Sequence, residues 1–142
     1  MANVDLSQIE TPEMALDRSR ERLLLCLADL RWRRETGGVN VTDEAVFQSD
    51  RTTRTELASL ITNVDLGTIE TPITWKALSG WEVLGRDQLR QTLWLINEHV
   101  QACFRAERAI SDRIALGEIT HAQDLDAAFE TAFYHARNHP SV

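Results

Sequence analysis

The chain has 142 residues, 43% of them hydrophobic, and its 22 acidic against 15 basic side chains give a net charge of -7. This is the size of one ordinary domain, which on folding buries roughly 68–70% of the surface an unfolded chain exposes. The acidic balance repels phosphate backbones and argues against nucleic acid, no apolar run approaches the ~18 residues of a membrane span, and Met1-Ala2-Asn3-Val4-Asp5-Leu6 lacks the basic start of a secretory signal, so a soluble cytoplasmic protein is expected.

The first predicted helix runs from Pro12 to Arg34, with Pro at an early helical position and Thr11 placed to cap it. Leu16, Leu23 and Leu30 fall one heptad apart with Cys26 and Leu27 beside them, while Arg18, Arg20, Glu21 and Arg22 face elsewhere. Arg31, Arg33 and Arg34 suit the negative end of the helix dipole, and Gly37-Gly38 stops it. Val39-Asn40-Val41 and Ala45-Val46-Phe47 then read as a short hairpin around Thr42-Asp43-Glu44. Thr53 and Glu56 have capping-box spacing for a short helix whose apolar face is Leu57, Leu60, Ile61 and Val64.

A second hairpin is predicted from Ile73–Leu78 and Trp81–Leu84 around the turn dipeptide Ser79-Gly80. The phrase Ile-Glu-Thr-Pro, at Ile9 and again at Ile69, is followed once by a helical pattern and once by a strand-like one, so it is not a structural repeat. The longest helix is expected over Arg86–Leu116, where Leu89, Leu93, Ile96, Val100, Cys103, Ile110 and Ile114 form a near-heptad stripe with Glu107 in its one polar place. At ~1.5 Å per residue it exceeds about 40 Å, more than a small domain needs to cover its own core, so part of it is expected to meet another chain. Gly117 ends it, and Thr120 with Gln123 forms a capping box for a last helix through Arg137 with Leu125, Ala128, Phe129, Ala132 and Phe133 on its inner face. Pro140 closes the chain. The pattern predicts one α+β domain spanning residues 1–142, mostly helical, with two short hairpins and a long helix: an N-terminal helix over 12–34, a core over 37–116 and a C-terminal helix over 120–137.

Little in this pattern points to chemistry. His99 and Cys103 lie four apart on one helix face, and Cys26 could join them at a metal, but no second Cys or His lies near Cys103 in sequence. A core cysteine beside a partly exposed histidine is the preferred reading, with a disulfide disfavoured in a cytoplasm. A His99–Cys103 base and nucleophile would need both aimed at one pocket, which helical neighbours rarely achieve. There is no phosphate loop, nucleophile elbow or His-Glu-x-x-His motif, so no enzyme activity and no cofactor are expected. His121, His135 and His139 are placed on different faces or in the tail.

The tryptophans are the more informative anchors. Trp75 and Trp81 bracket the second hairpin and either pack it on the long helix or contact a partner, and Trp94 widens the apolar surface of that helix. Phe104 and Glu107 complete the candidate partner-binding set of Trp75, Trp81, Trp94, Phe104 and Glu107.

In order along the chain, Gly38-Val39-Asn40-Val41, Gln48-Ser49-Asp50-Arg51, Ile73-Thr74-Trp75-Lys76-Ala77-Leu78-Ser79-Gly80-Trp81 and His99-Val100-Gln101-Ala102-Cys103-Phe104 resemble an uncharacterised domain family of tailed phages and prophages. The resemblance covers about Gly37 to Leu116. It implies association with tail-fibre genes, and a function as a tail-fibre assembly chaperone or as a retained fibre or baseplate component, in the virion tail or in the host cytoplasm during assembly. It carries over no catalytic residue or cofactor. The chain departs from the pattern at Asp43-Glu44, where relatives tend to carry Gly, and its flanking helices fall outside the pattern, where partner-specific contacts are expected. The alternative is a minor structural subunit that self-assembles through the Leu89–Ile114 stripe, with Glu107 setting register. A metal protein or enzyme using His99 and Cys103 is the remote third reading.

Overall fold

The computed structural model describes residues 9–139. The acidic stretch Met1–Leu6 and Pro140 lie outside the described residues. Helix α1 spans Pro12–Thr36 and begins as expected, with Met14 N donating to Thr11 Oγ1 at 3.1 Å and Pro12 at its first position. It runs two residues past Arg34 because Glu35, one turn after Arg31, is held by that guanidinium at 2.5 Å.

Strands β1 (Val39–Asn40) and β2 (Val46–Phe47) pair Val39 with Phe47 and Asn40 with Val46. Each is a residue shorter than expected, since Val41 and Ala45 belong to the turn. There Thr42 closes a turn that has no glycine: its Oγ1 accepts from the amides of Glu44 and Ala45 at 3.3 and 3.0 Å.

Helix α2 (Arg51–Leu66) starts at Asp50, not at a Thr53–Glu56 box. Thr53 lies inside the first turn, where its hydroxyl donates back to the Asp50 carboxylate. Gly67, at φ 75, ends α2, with Gly67 N bonded to Val64 O and Thr68 N to Asn63 O, the paired closure of a left-handed cap.

Strands β3 (Ile73–Ala77) and β4 (Gly80–Leu84) pair antiparallel from Ile73 with Leu84 to Ala77 with Gly80. The turn is therefore Leu78-Ser79, one residue earlier than expected, and Gly80 supplies its positive φ from the first position of β4. The hairpin tip is pinned to the first hairpin, because Ser79 Oγ accepts from Val46 N at 2.9 Å.

Helix α3 (Arg86–Ala115) is the long helix, and a single 3-10 turn at Ala122–Asp124 leads into α4 (Leu125–Asn138). No side chain caps that entry, so the Thr120–Gln123 box does not form; the tighter turn directs Leu125 into the core instead. The arrangement is α+β and mostly helical.

Two apolar clusters form, and α3 runs through both. Its first half contributes Leu89 and Ile96 to a cluster with Phe47, Leu57, Ile73 and Leu84 from the hairpins and α2. Its second half contributes Cys103, Ile110 and Ile114 to a helix-only cluster with Leu27 of α1 and Phe129 and Phe133 of α4. Between them lies a polar waist. Glu35 takes Arg31 at 2.5 Å and Arg54 of α2 at 3.4 Å, Arg31 also reaches Glu107 of α3 at 2.7 Å, and buried Ser49 donates to Glu35 O at 2.5 Å while accepting from Gly38 N at 3.0 Å. Burial opposes the charge of Arg31, and the hydrogen bonds to Glu107 and Glu35 outweigh it, so its pKa is raised.

The α3 stripe is consequently covered within the chain: Leu89, Ile96, Val100, Cys103, Ile110 and Ile114 are all buried. Leu93 of the same stripe is partly buried, and Glu107 is bound to Arg31. The length of α3 is explained by its service to two cores in succession.

Candidate functional site

The second hairpin has two unlike faces, as alternation along its strands requires. Ile73, Ala77 and Leu84 point to the core with Trp75 partly buried beside them, whereas Trp81 and Val83 stand on the other face in solvent. Trp81 is 70% exposed, with the Lys76 ammonium 5.7 Å from its ring centre. The indole Nε1 of Trp75 is buried and has no hydrogen-bond partner among the described residues. Trp94 lies on the side of α3 away from the buried stripe and is 59% exposed.

Phe104 is partly exposed and carries the Arg31 guanidinium 4.8 Å above its ring, on the same side chain that engages Glu107. Of the five candidate contact residues, then, Trp81 and Trp94 face outward. Phe104 does so in part, and Trp75 and Glu107 are engaged inside the chain.

Helix α1 carries exposed apolar residues outside that candidate set. Met14, Leu25 and Trp32 lie opposite the core-facing Leu23 and Leu27, and all three are exposed, Trp32 by 57%. Their signal was the seven-residue step from Leu25 to Trp32, half a turn away from the stripe that was read. Leu16 and Cys26, assigned to that stripe, are exposed as well. The core takes Leu23 and Leu27, with Leu30 partly buried.

The pair that looks reactive is built for packing. His99 is buried, contrary to the partly exposed position expected, because its ring sits edge-on to Phe133 at 5.4 Å. Its Nε2 lies 2.8 Å from Arg34 O, and a carbonyl only accepts, so this nitrogen carries the proton. A protonated Nε2 cannot take a proton from Cys103 Sγ, 3.9 Å away. Burial pushes the Cys103 thiol up to about 12, which keeps it protonated and a poor nucleophile or ligand. Burial also lowers the His99 pKa, and the charges of Arg34 and Arg137 act in the same direction.

His121 precedes the 3-10 turn and His139 follows the end of α4, where its ring stacks on that of His135 at 4.6 Å. Among the described residues no group of three or more His, Cys, Asp or Glu side chains gathers as a metal site would require, and no helix is long and apolar enough to cross a membrane.

A family match takes in nearly all of these features. The chain belongs to the DUF4376 family. This domain of unknown function matches residues 18–133, from the second turn of α1 to the middle of α4. Both flanking helices are therefore largely part of the DUF4376 domain, not additions at its ends. No curated protein and no solved structure matches the chain.

Proposed function

We propose that this protein is a non-enzymatic component of a bacteriophage tail that binds the tail fibre, as an assembly chaperone or as a retained fibre or baseplate part, acting in the host cytoplasm during assembly or in the virion tail. The resemblance of its hairpin and α3 segments to phage-tail domains supplies the setting. Binding is supported by one observation above all: three of the chain's four tryptophans, Trp32, Trp81 and Trp94, are more than half exposed. Exposed tryptophans are the side chains most enriched among interface residues whose removal costs ~2 kcal/mol or more. Trp81 and Trp94 are the expected anchors for the fibre.

Co-expression with the tail-fibre protein of the same phage tests this. The two should co-purify, trimeric fibre yield should rise, and Trp81→Ala with Trp94→Ala should abolish both effects. A fibre that trimerises equally well alone and never co-purifies refutes the reading.

The apolar outer side of α1 favours a second reading, a minor tail or baseplate subunit that self-assembles through Met14, Leu25 and Trp32. Light scattering after gel filtration decides it: a dimer or larger species that Leu25→Arg converts to monomer supports it, and a wild-type monomer excludes it.

A further inference from the structure

The chain is acidic overall, yet one depression in it is basic. It has a volume of about 390 Å³, lies where the end of α1 meets β1, β2 and α4, and its charged lining is Arg33, Arg34 and Arg137 beside His99, with no carboxylate among the residues that line it. That volume falls within the ~300–1,000 Å³ typical of small-molecule sites.

Arg34 is the organised group. The central carbon of its guanidinium lies over Phe133, 4.5 Å from the ring centre, and its backbone carbonyl accepts from His99. Among the described residues the Arg34 Nε is buried with no hydrogen-bond partner, and its ion pair with Glu130 is long at 3.4 Å. Contact with the ring restrains the planar fork and so reduces the entropy a ligand must otherwise oppose, which suits Arg to bidentate capture of a carboxylate. Arg33 is held on the rim by an exposed pair with Asp29 at 2.9 Å, a weak tie in water. Arg137 makes no ion pair among the described residues. Half-buried Val46 supplies an apolar contact, whereas Val39 and Phe133 are closed off by burial.

We propose that this depression binds a carboxylate carried on an apolar body, with Arg34 as the bidentate fork and Arg33 and Arg137 as the surrounding positive field. Contact with Val46 favours an organic acid over inorganic phosphate, and the overall negative charge of the chain disfavours polyanions. The site stands independently of tail-fibre binding, since the isolated protein should show it.

Titration of the isolated full chain with benzoate, acetate and inorganic phosphate in separate arms, read by NMR at the His99 ring and the Arg34 side chain, tests the proposal. Benzoate should give saturable shifts at both, with acetate weaker by about tenfold for want of the apolar contact. Arg137→Gln, an exposed change, should leave the thermal midpoint in place and weaken benzoate binding by about fivefold, the share of one exposed charge contact. Arg34→Lys keeps the charge but removes the fork, and should weaken binding further. Unsaturable shifts in all arms, phosphate binding tighter than benzoate, or full benzoate affinity in Arg137→Gln would each overturn the assignment.

Discussion

Around the second half of α3, three helices lie side by side and the core is helix against helix, whereas around its first half two short hairpins and α2 close over the same helix. The helical end draws on α1 and α4, which are far apart in sequence, and each presents a stripe of large side chains. The mixed end rests on two sheets of two strands each. A lone two-stranded sheet is marginal in water, so these hairpins persist because α3 supports them and because Ser79 and Ser49 tie them to each other and to α1. The helical end is held by its own side chains, and the mixed end by attachment to a helix that the other end anchors.

The largest expected effect sharpens this contrast. Phe133→Ala removes a fully buried ring of the helical end and should cost about 3–5 kcal/mol in urea unfolding. If α3 couples the ends, hydrogen exchange in β3 and β4 should accelerate along with that in α4, and hairpin amides that stay protected would separate them into two units. Glu35→Ala comes next, at about 2 kcal/mol, below the ~3–5 kcal/mol of a fully buried pair because Arg31 and Arg54 retain some solvent. Its distinguishing sign is a selective loss of protection in α2, since the Glu35 carboxylate is the tie between α1 and α2.

A smaller effect comes with acid. The folded pKa of His99 lies below the ordinary 6.5, pushed down by burial and by Arg34 and Arg137 against the carbonyl of Arg34 and the charge of Glu35. The unfolded chain therefore takes up the proton first. The contribution is full above pH 6.5 and is lost as pH falls from there through the folded pKa. Thermal midpoints between pH 7 and 5 should fall in the wild type and flatten in His99→Gln. Smallest of all, Trp81→Ala should change stability by less than about 0.5 kcal/mol, as suits a side chain outside both cores, while removing fibre binding. A large loss of stability would place Trp81 in the fold instead of on a contact surface.

Much of this architecture was legible in the sequence. All four helices and both hairpins follow from periodicity and turn residues, and the inner face of α4 reads correctly at Leu125, Phe129 and Phe133. Caps were less legible, because Asp50 and Thr53 are both cap-forming residues three apart and local spacing alone does not decide which one starts the helix. Burial was least legible where a helix has apolar residues on two sides. In α1, Leu16 and Cys26 fit the stripe but reach past the neighbouring helices, and in α3 the length that suggested a partner serves a second core. The basic depression was invisible beforehand, since Arg34, His99, Phe133 and Arg137 belong to three helices that only the tertiary fold brings together.

The two cysteines turn this architecture into a clock. Cys26 is open to solvent and Cys103 sits in the helical core, so a thiol reagent should modify the native protein at one site with a single rate. The second modification must wait until the bundle opens around α3. At reagent concentrations low enough for reclosing to win, its rate reports the opening free energy of that end alone, measured on the unaltered sequence.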